Sequence, residues 1–234
     1  MSRKLLFLVI ILSFSVQSQD LERTPLLSKT IGNSIKEYRK NSQEAHAKGD
    51  FDLANSLFES LINNVVNGST LDNFNMRKVS GRTLEFYDFK KPVFLMTYAS
   101  WCTPGIGEIP ALNEIASKYY KDIEFVILYW DTKKNIKKIA RKYSAKIKVV
   151  YVDESAYANN NIIKTLKHTL GFPTSLFIDV DKKIVAVERG TQHHYKEKYI
   201  TSFNLNYSFF LKGVSLLKPL YEEDKGLVMD APKP

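Results

Sequence analysis

Apolar positions repeat with two periods along this chain, and the switches between them mark its elements. Phe51, Ala54, Leu57, Phe58, Leu61, Ile62 and Val65 fall at three- and four-residue steps, the spacing of one helix face, and Lys48-Gly49-Asp50 breaks the chain just before them. A weaker helical pattern around Ile35 to Ala47 precedes the break, so residues 31 to 66 predict a helical hairpin. Beyond it, Leu71 to Met76 is predicted to pair with Thr83 to Phe89 around a bend at Ser80-Gly81. Val93 to Tyr98 is a continuous apolar run of strand length, the mark of a strand buried on both faces. A helix through Ile109, Leu112, Ile115 and Tyr119 follows, loosened by Pro110. Next come a strand at Ile123 to Trp130, an amphipathic helix from Lys134 to Tyr143 and a strand at Ile147 to Val152. A helix around Asn160 to Leu170 leads to two strands, Ser175 to Val180 and Lys183 to Val187, with a tight turn at Asp181-Lys182. Strands and helices alternate first and an antiparallel pair closes the series, which predicts an α/β fold with a mixed central sheet flanked by helices. Tyr199, Phe203, Phe209, Phe210, Val214, Leu217 and Leu220 predict one or two closing helices packed on that sheet. From Tyr221 the chain turns polar and reads as a flexible tail.

The beginning of the chain follows a different logic. Arg3 and Lys4, the apolar run Leu5 to Phe14 and the small or polar residues Ser15 to Ser18 form the pattern of an export leader cleaved after Ser18. Its apolar run is short for a membrane span, so an uncleaved anchor is the alternative. No cysteine follows the run, which excludes a lipid anchor on cysteine. The expected division is therefore 1–18 signal peptide, 19–66 helical hairpin, 67–220 main domain and 221–234 tail, and the expected location is periplasmic or secreted. A length of 234 residues and a hydrophobic fraction of 44% suffice for one α/β domain with extensions.

The net charge of +9 traces mainly to residues 133–148, where Lys133, Lys134, Lys137, Lys138, Arg141, Lys142, Lys146 and Lys148 occur with no acid between Asp131 and Asp153. An ordinary solvated helix face is the favoured account of this stretch; contact with an anionic partner or membrane surface is the disfavoured one. No recognisable nucleic-acid module is present, so nucleic acid is not an expected partner. His46, His168, His193 and His194 lack metal-ligand spacing, and no metal or cofactor is expected.

Cys102 is the only cysteine, which rules out a disulfide within the chain. It stands in Ala99-Ser100-Trp101-Cys102-Thr103-Pro104-Gly105, directly after a predicted buried strand. Pro104 has no N–H to leave unpaired and suits the first turn of a helix, so the spacing predicts Cys102 at a helix N-terminus. The macrodipole there favours a thiolate by about 0.3 to 1 kcal/mol, somewhat under one pKa unit, and predicts a thiol more reactive than average.

Three motifs taken in order resemble the TlpA and ResA branch of the thioredoxin-like family: Trp101-Cys102-Thr103-Pro104, Glu108-Ile109-Pro110-Ala111-Leu112, and Gly171-Phe172-Pro173-Thr174 with Phe177-Ile178-Asp179. The resemblance covers roughly residues 68 to 190 and implies a thioredoxin-like fold with an N-terminal β-hairpin. It implies that Pro173 is a cis-proline facing the active-site cysteine, with Phe172, Pro173 and Thr174 lining a groove for an extended substrate segment. It implies that Glu108 lies near the thiol, where a partly buried carboxylate raises the cysteine pKa and opposes the dipole, and that Trp101 shields one side. Separately, Ala47 to Phe58 resembles the hairpin of a tetratricopeptide repeat. Such arrays need about three copies and one is visible, so a helical hairpin packed on the main domain is preferred.

The departure from the family is Gly105, which stands where the resolving cysteine belongs. A dithiol cycle needs a second thiolate to attack the mixed disulfide formed by the first, and without it an outside thiol must do that work. Three readings follow. The first is a monothiol oxidoreductase that forms mixed disulfides with exported proteins or small thiols and is resolved by an external thiol or reductant protein. The second is a redox-inactive binding module that uses the groove beside Pro173. The third, disfavoured, is a peroxidatic cysteine, since Ala99 occupies the position where that chemistry wants threonine or serine.

Overall fold

Val93 to Tyr98 form a strand in which every residue is buried, and the alternation of its side chains divides the molecule into two cores. Val93 and Leu95 point to one face, Phe94, Met96 and Tyr98 to the other. A computed structural model of the chain describes residues 24–99, 101–152, 165–166, 169–189 and 197–229. In chain order its elements are helices α1 (Leu27–Ala47) and α2 (Phe51–Leu61), strands β1 (Asn75–Lys78), β2 (Thr83–Glu85) and β3 (Val93–Tyr98), and helix α3 (Glu108–Tyr119). Strand β4 (Glu124–Trp130), helix α4 (Lys133–Ala140), strands β5 (Ile147–Val152), β6 (Thr174–Ile178) and β7 (Ile184–Arg189), and helix α5 (Tyr199–Met229) complete it.

The seven strands form one sheet in the order β2-β1-β5-β4-β3-β6-β7. Strands β3, β4 and β5 run parallel, with Tyr98 beside Tyr129 and Tyr129 beside Tyr151 in register. On one side β6 joins β3 antiparallel, pairing Thr97 with Thr174, and β7 follows it; on the other, β1 joins β5 antiparallel and carries β2. The β1–β2 hairpin turns where expected but pairs Asn75–Arg77 with Thr83–Glu85, a shorter ladder than Leu71–Met76 on Thr83–Phe89. Just beyond the named strands the Phe86 N–H still donates to the Phe74 carbonyl at 2.9 Å, and the two rings stack, centroids 5.5 Å apart, in the core beneath.

Helices α3, α4 and α5 cover one face. Ile109, Leu112 and Ile115 of α3, Ile136 of α4, and Phe210, Val214 and Leu217 of α5 bury against Phe94, Phe125, Ile127 and Phe177. Helices α1 and α2 cover the opposite face, where Leu27, Ile31, Phe58, Leu61, Ile62 and Val66 share a core with Leu95, Val126, Leu128 and Val150. The hairpin is thus a third layer of the same body, tied by the Leu27 N–H to the Thr70 carbonyl at 2.8 Å and by Ser28 to the Asp72 carboxylate. Helix α1 begins at Leu27, eight residues before the expected start at Ile35, because Leu27 and Ile31 supply core contacts that the sequence period alone underweighted.

Two expectations need correction. The chain from Tyr221 to Met229 continues α5 as a helix in place of a flexible tail. Pro110 does not loosen α3: it is the third residue of the helix, where an N–H has no intrahelical acceptor in any case. The leader at 1–18, most of the helix expected at 160–170, and His168, His193 and His194 lie outside the described residues. No described helix is long and apolar enough to cross a membrane.

Candidate active site

The parallel strand β3 has β4 on one side and the antiparallel β6 on the other, so the chain leaves its C-terminal end at a change of connection, the place where open α/β sheets hold their sites. Cys102 lies four residues past that end. The turn closes with the Cys102 N–H donating to the Ala99 carbonyl at 3.0 Å. The helix that follows starts at Glu108, with Gly107 as its N-cap. This corrects the expectation of Cys102 at a helix N-terminus: five residues separate it from the first helical position, and Pro104 lies in the loop between them. The positive end of the α3 dipole falls to the Glu108 carboxylate, which occupies the first turn.

Buried polar groups set this start. Glu108 is 4% exposed, and the Tyr98 hydroxyl donates to one of its oxygens. The Gly105 N–H donates to the other at 3.2 Å. The Gly107 N–H, which no side chain on its own helix caps, donates to the Ser202 hydroxyl of α5 at 3.1 Å, and the Asn206 amide donates to the Ser202 carbonyl at 2.7 Å. A Cβ on Gly107 would stand 2.5 Å from the Phe203 Cα and 2.6 Å from the Ser202 carbonyl carbon, so only glycine lets α5 approach here. Beneath Tyr98, the Tyr129 ring lies 5.7 Å away, and the Tyr129 and Tyr143 hydroxyls share a hydrogen bond of 3.1 Å.

The thiol of Cys102 is half-buried. Burial pushes its pKa up, the Ala99 hydrogen bond partly offsets this, and the charge of Glu108 adds to the rise. The direction is opposite to that expected from a helix N-terminus, for the reason just given: the carboxylate, and not the sulfur, sits at the dipole. Burial likewise raises Tyr98 and Tyr143 well above the usual tyrosine range and Tyr129 to about 12, so all three stay neutral donors at ordinary pH.

Of the residues singled out from sequence, Cys102, Thr103, Pro104 and Gly105 line one cavity of about 450 Å³, together with Ile106, Ile109, Pro110, Asn113, Ile139 and Lys142. Residues 172–174 do not line it. The Phe172–Pro173 peptide bond is cis. The link between this segment and the cysteine loop is Trp101, whose ring meets Phe172 edge-on with centroids 6.3 Å apart. Trp101 is 76% exposed, so its ring stands mostly in solvent. Thr174 is buried, and its hydroxyl donates to the carbonyls of Leu170 and Gly171, which directs the side chain at its own loop. The sequence reading missed Tyr98, Tyr129, Tyr143, Asn113, Lys142 and Ser202. Tyr98 and Tyr129 carried a usable signal: a hydroxyl near the end of an otherwise largely apolar buried strand must find a partner.

A parallel β3–β5 core flanked by antiparallel β6 and β1, a cysteine just beyond β3 and a cis-proline opening the neighbouring β6 define a thioredoxin-like protein. The chain belongs to the AhpC/TSA family, whose sequence profile it matches over residues 68–187. It is 34% identical over 128 residues to the thiol-disulfide oxidoreductase ResA of Bacillus thuringiensis subsp. konkukian, covering 53% of this chain and 70% of that one. To ResA of Geobacillus thermodenitrificans it is 28% identical over 127 residues, with the same coverage. Among solved structures, the thioredoxin domain of a thiol-disulfide oxidoreductase from Bacteroides vulgatus matches with a TM-score of 0.49 at 20% identity, covering 63% of this chain and 97% of that one.

Proposed function

We propose that this protein carries out monothiol thiol–disulfide exchange at Cys102. The Cys102 thiolate attacks one sulfur of a substrate disulfide, a new S–S bond forms to Cys102, and the other substrate sulfur leaves as a thiolate that takes a proton from water. An external thiolate then breaks the mixed disulfide, because Gly105 offers no second sulfur. The observation that carries this reading is the position of the thiol, half-buried beyond β3 and open to a cavity, in a chain of a thiol-oxidoreductase-like family. Its raised pKa makes Cys102 a slow nucleophile at neutral pH and also a poor leaving group, so the mixed disulfide is expected to persist until the outside thiol arrives. Phe172 and Pro173, beside Trp101, would receive the extended segment that carries the substrate disulfide. The leader pattern at residues 1–18 supports export, which brings the thiol to oxidised proteins.

The raised pKa also favours a second reading, a binding module in which the groove beside Pro173 works without a redox step. One experiment separates them. The reduced full chain is incubated with a peptide containing a disulfide, quenched in acid and weighed by mass spectrometry. An adduct on Cys102 that an added thiol removes is the expected result. A folded protein that forms none, when the denatured chain forms it readily, would leave only the binding module.

A further inference from the structure

The cavity beside Cys102 is lined by none of residues 172–174 and has the composition of a small-molecule site. Its volume of about 450 Å³ lies in the range of small-ligand pockets, roughly 300 to 1,000 Å³. Ile106, Ile109, Pro110 and Ile139 make its walls apolar. Gly105, the position at which a resolving cysteine would stand, lines it too. Asn113 is already committed: its amide nitrogen donates to the Lys142 carbonyl at 2.9 Å and its oxygen accepts the Ser144 N–H at 2.8 Å. These bonds clamp the chain after α4 against α3 and hold Lys142 at the wall. Lys142 is the only charged residue of the lining, and it has no carboxylate partner among the described residues.

We propose that this cavity seats the external resolving thiol, and that this thiol is a small anionic one whose carboxylate pairs with Lys142. The inference rests on the monothiol reading above. From the cavity the small thiolate reaches the sulfur of Cys102 in the mixed disulfide. A bond forms between those two sulfurs, the Cys102–substrate bond breaks, and the substrate leaves as a thiolate. A second small thiolate then attacks the sulfur of the first, releasing their symmetric disulfide and the Cys102 thiolate. One substrate disulfide becomes two thiols while two small thiols become one disulfide.

The test runs the last exchange backwards with three symmetric disulfides of similar size: anionic 3,3′-dithiodipropionate, neutral bis(2-hydroxyethyl) disulfide and cationic cystamine. Rates of adduct formation on Cys102 are read by mass spectrometry on the reduced full chain. The anionic probe is expected to react about two- to five-fold faster than the neutral one, the gain of a partly exposed ion pair, and cystamine slowest. Lys142→Gln should bring the anionic-to-neutral ratio to about one, and Ile106→Trp, at the exposed rim, should slow all three probes. Lys134→Gln makes the same change in net charge outside the cavity and should leave the ratio as in the wild type. Equal ratios in the wild type and Lys142→Gln, or an equal fall in Lys134→Gln, would overturn the site while leaving monothiol chemistry standing. Failure of all three probes to modify the folded protein would overturn both.

Discussion

Gly107→Ala tests whether helix α5 holds the cysteine loop. The added Cβ would lie 2.5 Å from the Phe203 Cα and 2.6 Å from the Ser202 carbonyl carbon, and closer still to the Phe203 nitrogen. These are backbone atoms of a helix, so no side-chain rotation relieves the clash. Either α5 or the loop must retreat by roughly 1 Å, in an interior packed too tightly to absorb such a shift. Overpacking of this kind costs about 1 to 3 kcal/mol. The retreat also breaks the 3.1 Å bond from the Gly107 N–H to Ser202 and leaves a buried donor unpaired, for about 1 to 3 kcal/mol more. Together a loss of about 2 to 6 kcal/mol corresponds to a fall in Tm of roughly 4 to 24 °C for a chain of this size. Gly32→Ala is the matched control, since its Cβ meets nothing within 4 Å inside α1, and it should stabilise by about 0.5 to 1 kcal/mol. Urea and thermal denaturation of both variants, with iodoacetamide alkylation of Cys102 alongside, make the measurement. Gly107→Ala should melt early and expose Cys102 to faster alkylation. A variant within 0.5 kcal/mol of the wild type, with unchanged alkylation, would refute the view that α5 seats the loop.

Other expectations concern the buried polar groups. Glu108→Gln removes the negative charge that helps raise the Cys102 pKa while keeping an acceptor for Tyr98, so the alkylation rate plotted against pH should shift to lower pH but remain above that of the denatured chain, because burial persists; an unmoved profile would contradict the Glu108 contribution. Stability should fall at alkaline pH. Tyr129 is raised to about 12, so below pH 10 both states are protonated and its contribution is complete, whereas between about pH 10 and 12 the unfolded chain loses its proton first. That window is worth roughly 2 to 3 kcal/mol from Tyr129, with Tyr98 and Tyr143 acting in the same direction, and urea midpoints that stay flat from pH 9 to 12 would count against it. Tyr98→Phe deprives the buried Glu108 carboxylate of a donor and should cost about 1.5 to 3 kcal/mol in urea denaturation, whereas exposed Tyr199→Phe should cost little. Cleavage after Ser18, the outcome expected of the leader pattern, should give an N-terminus at Gln19 when the protein is recovered from its host, and an intact Met1 would favour the uncleaved anchor.

The apolar runs at 93–98, 123–130 and 147–152 carried the central sheet in the sequence itself, because strands largely buried on both faces leave little room for polar residues, of which these admit only Thr97, Glu124 and Lys148. The helical steps from Phe51 to Val65 carried α2 equally well. The same holds for the covalent limit of the site: one cysteine at 102 and glycine at 105 exclude internal resolution whatever the fold. The start of α3 was a different matter. A proline two residues past the cysteine suits a helix beginning at either place, and local preference could not choose between them. The choice rests on partners distant in the chain: Ser202, 95 residues on, takes the Gly107 N–H, and Tyr98 at the end of β3 takes the Glu108 carboxylate into the interior. Lys142 reaches the thiol's cavity through Asn113 in the same way, across 29 residues. Sequence determined that there is one thiol and which strands surround it; tertiary packing decided that the helix dipole serves Glu108, that the thiol's pKa rises, and that Lys142 lines the same cavity, because each depends on groups that meet only when α3, α4 and α5 close on the sheet.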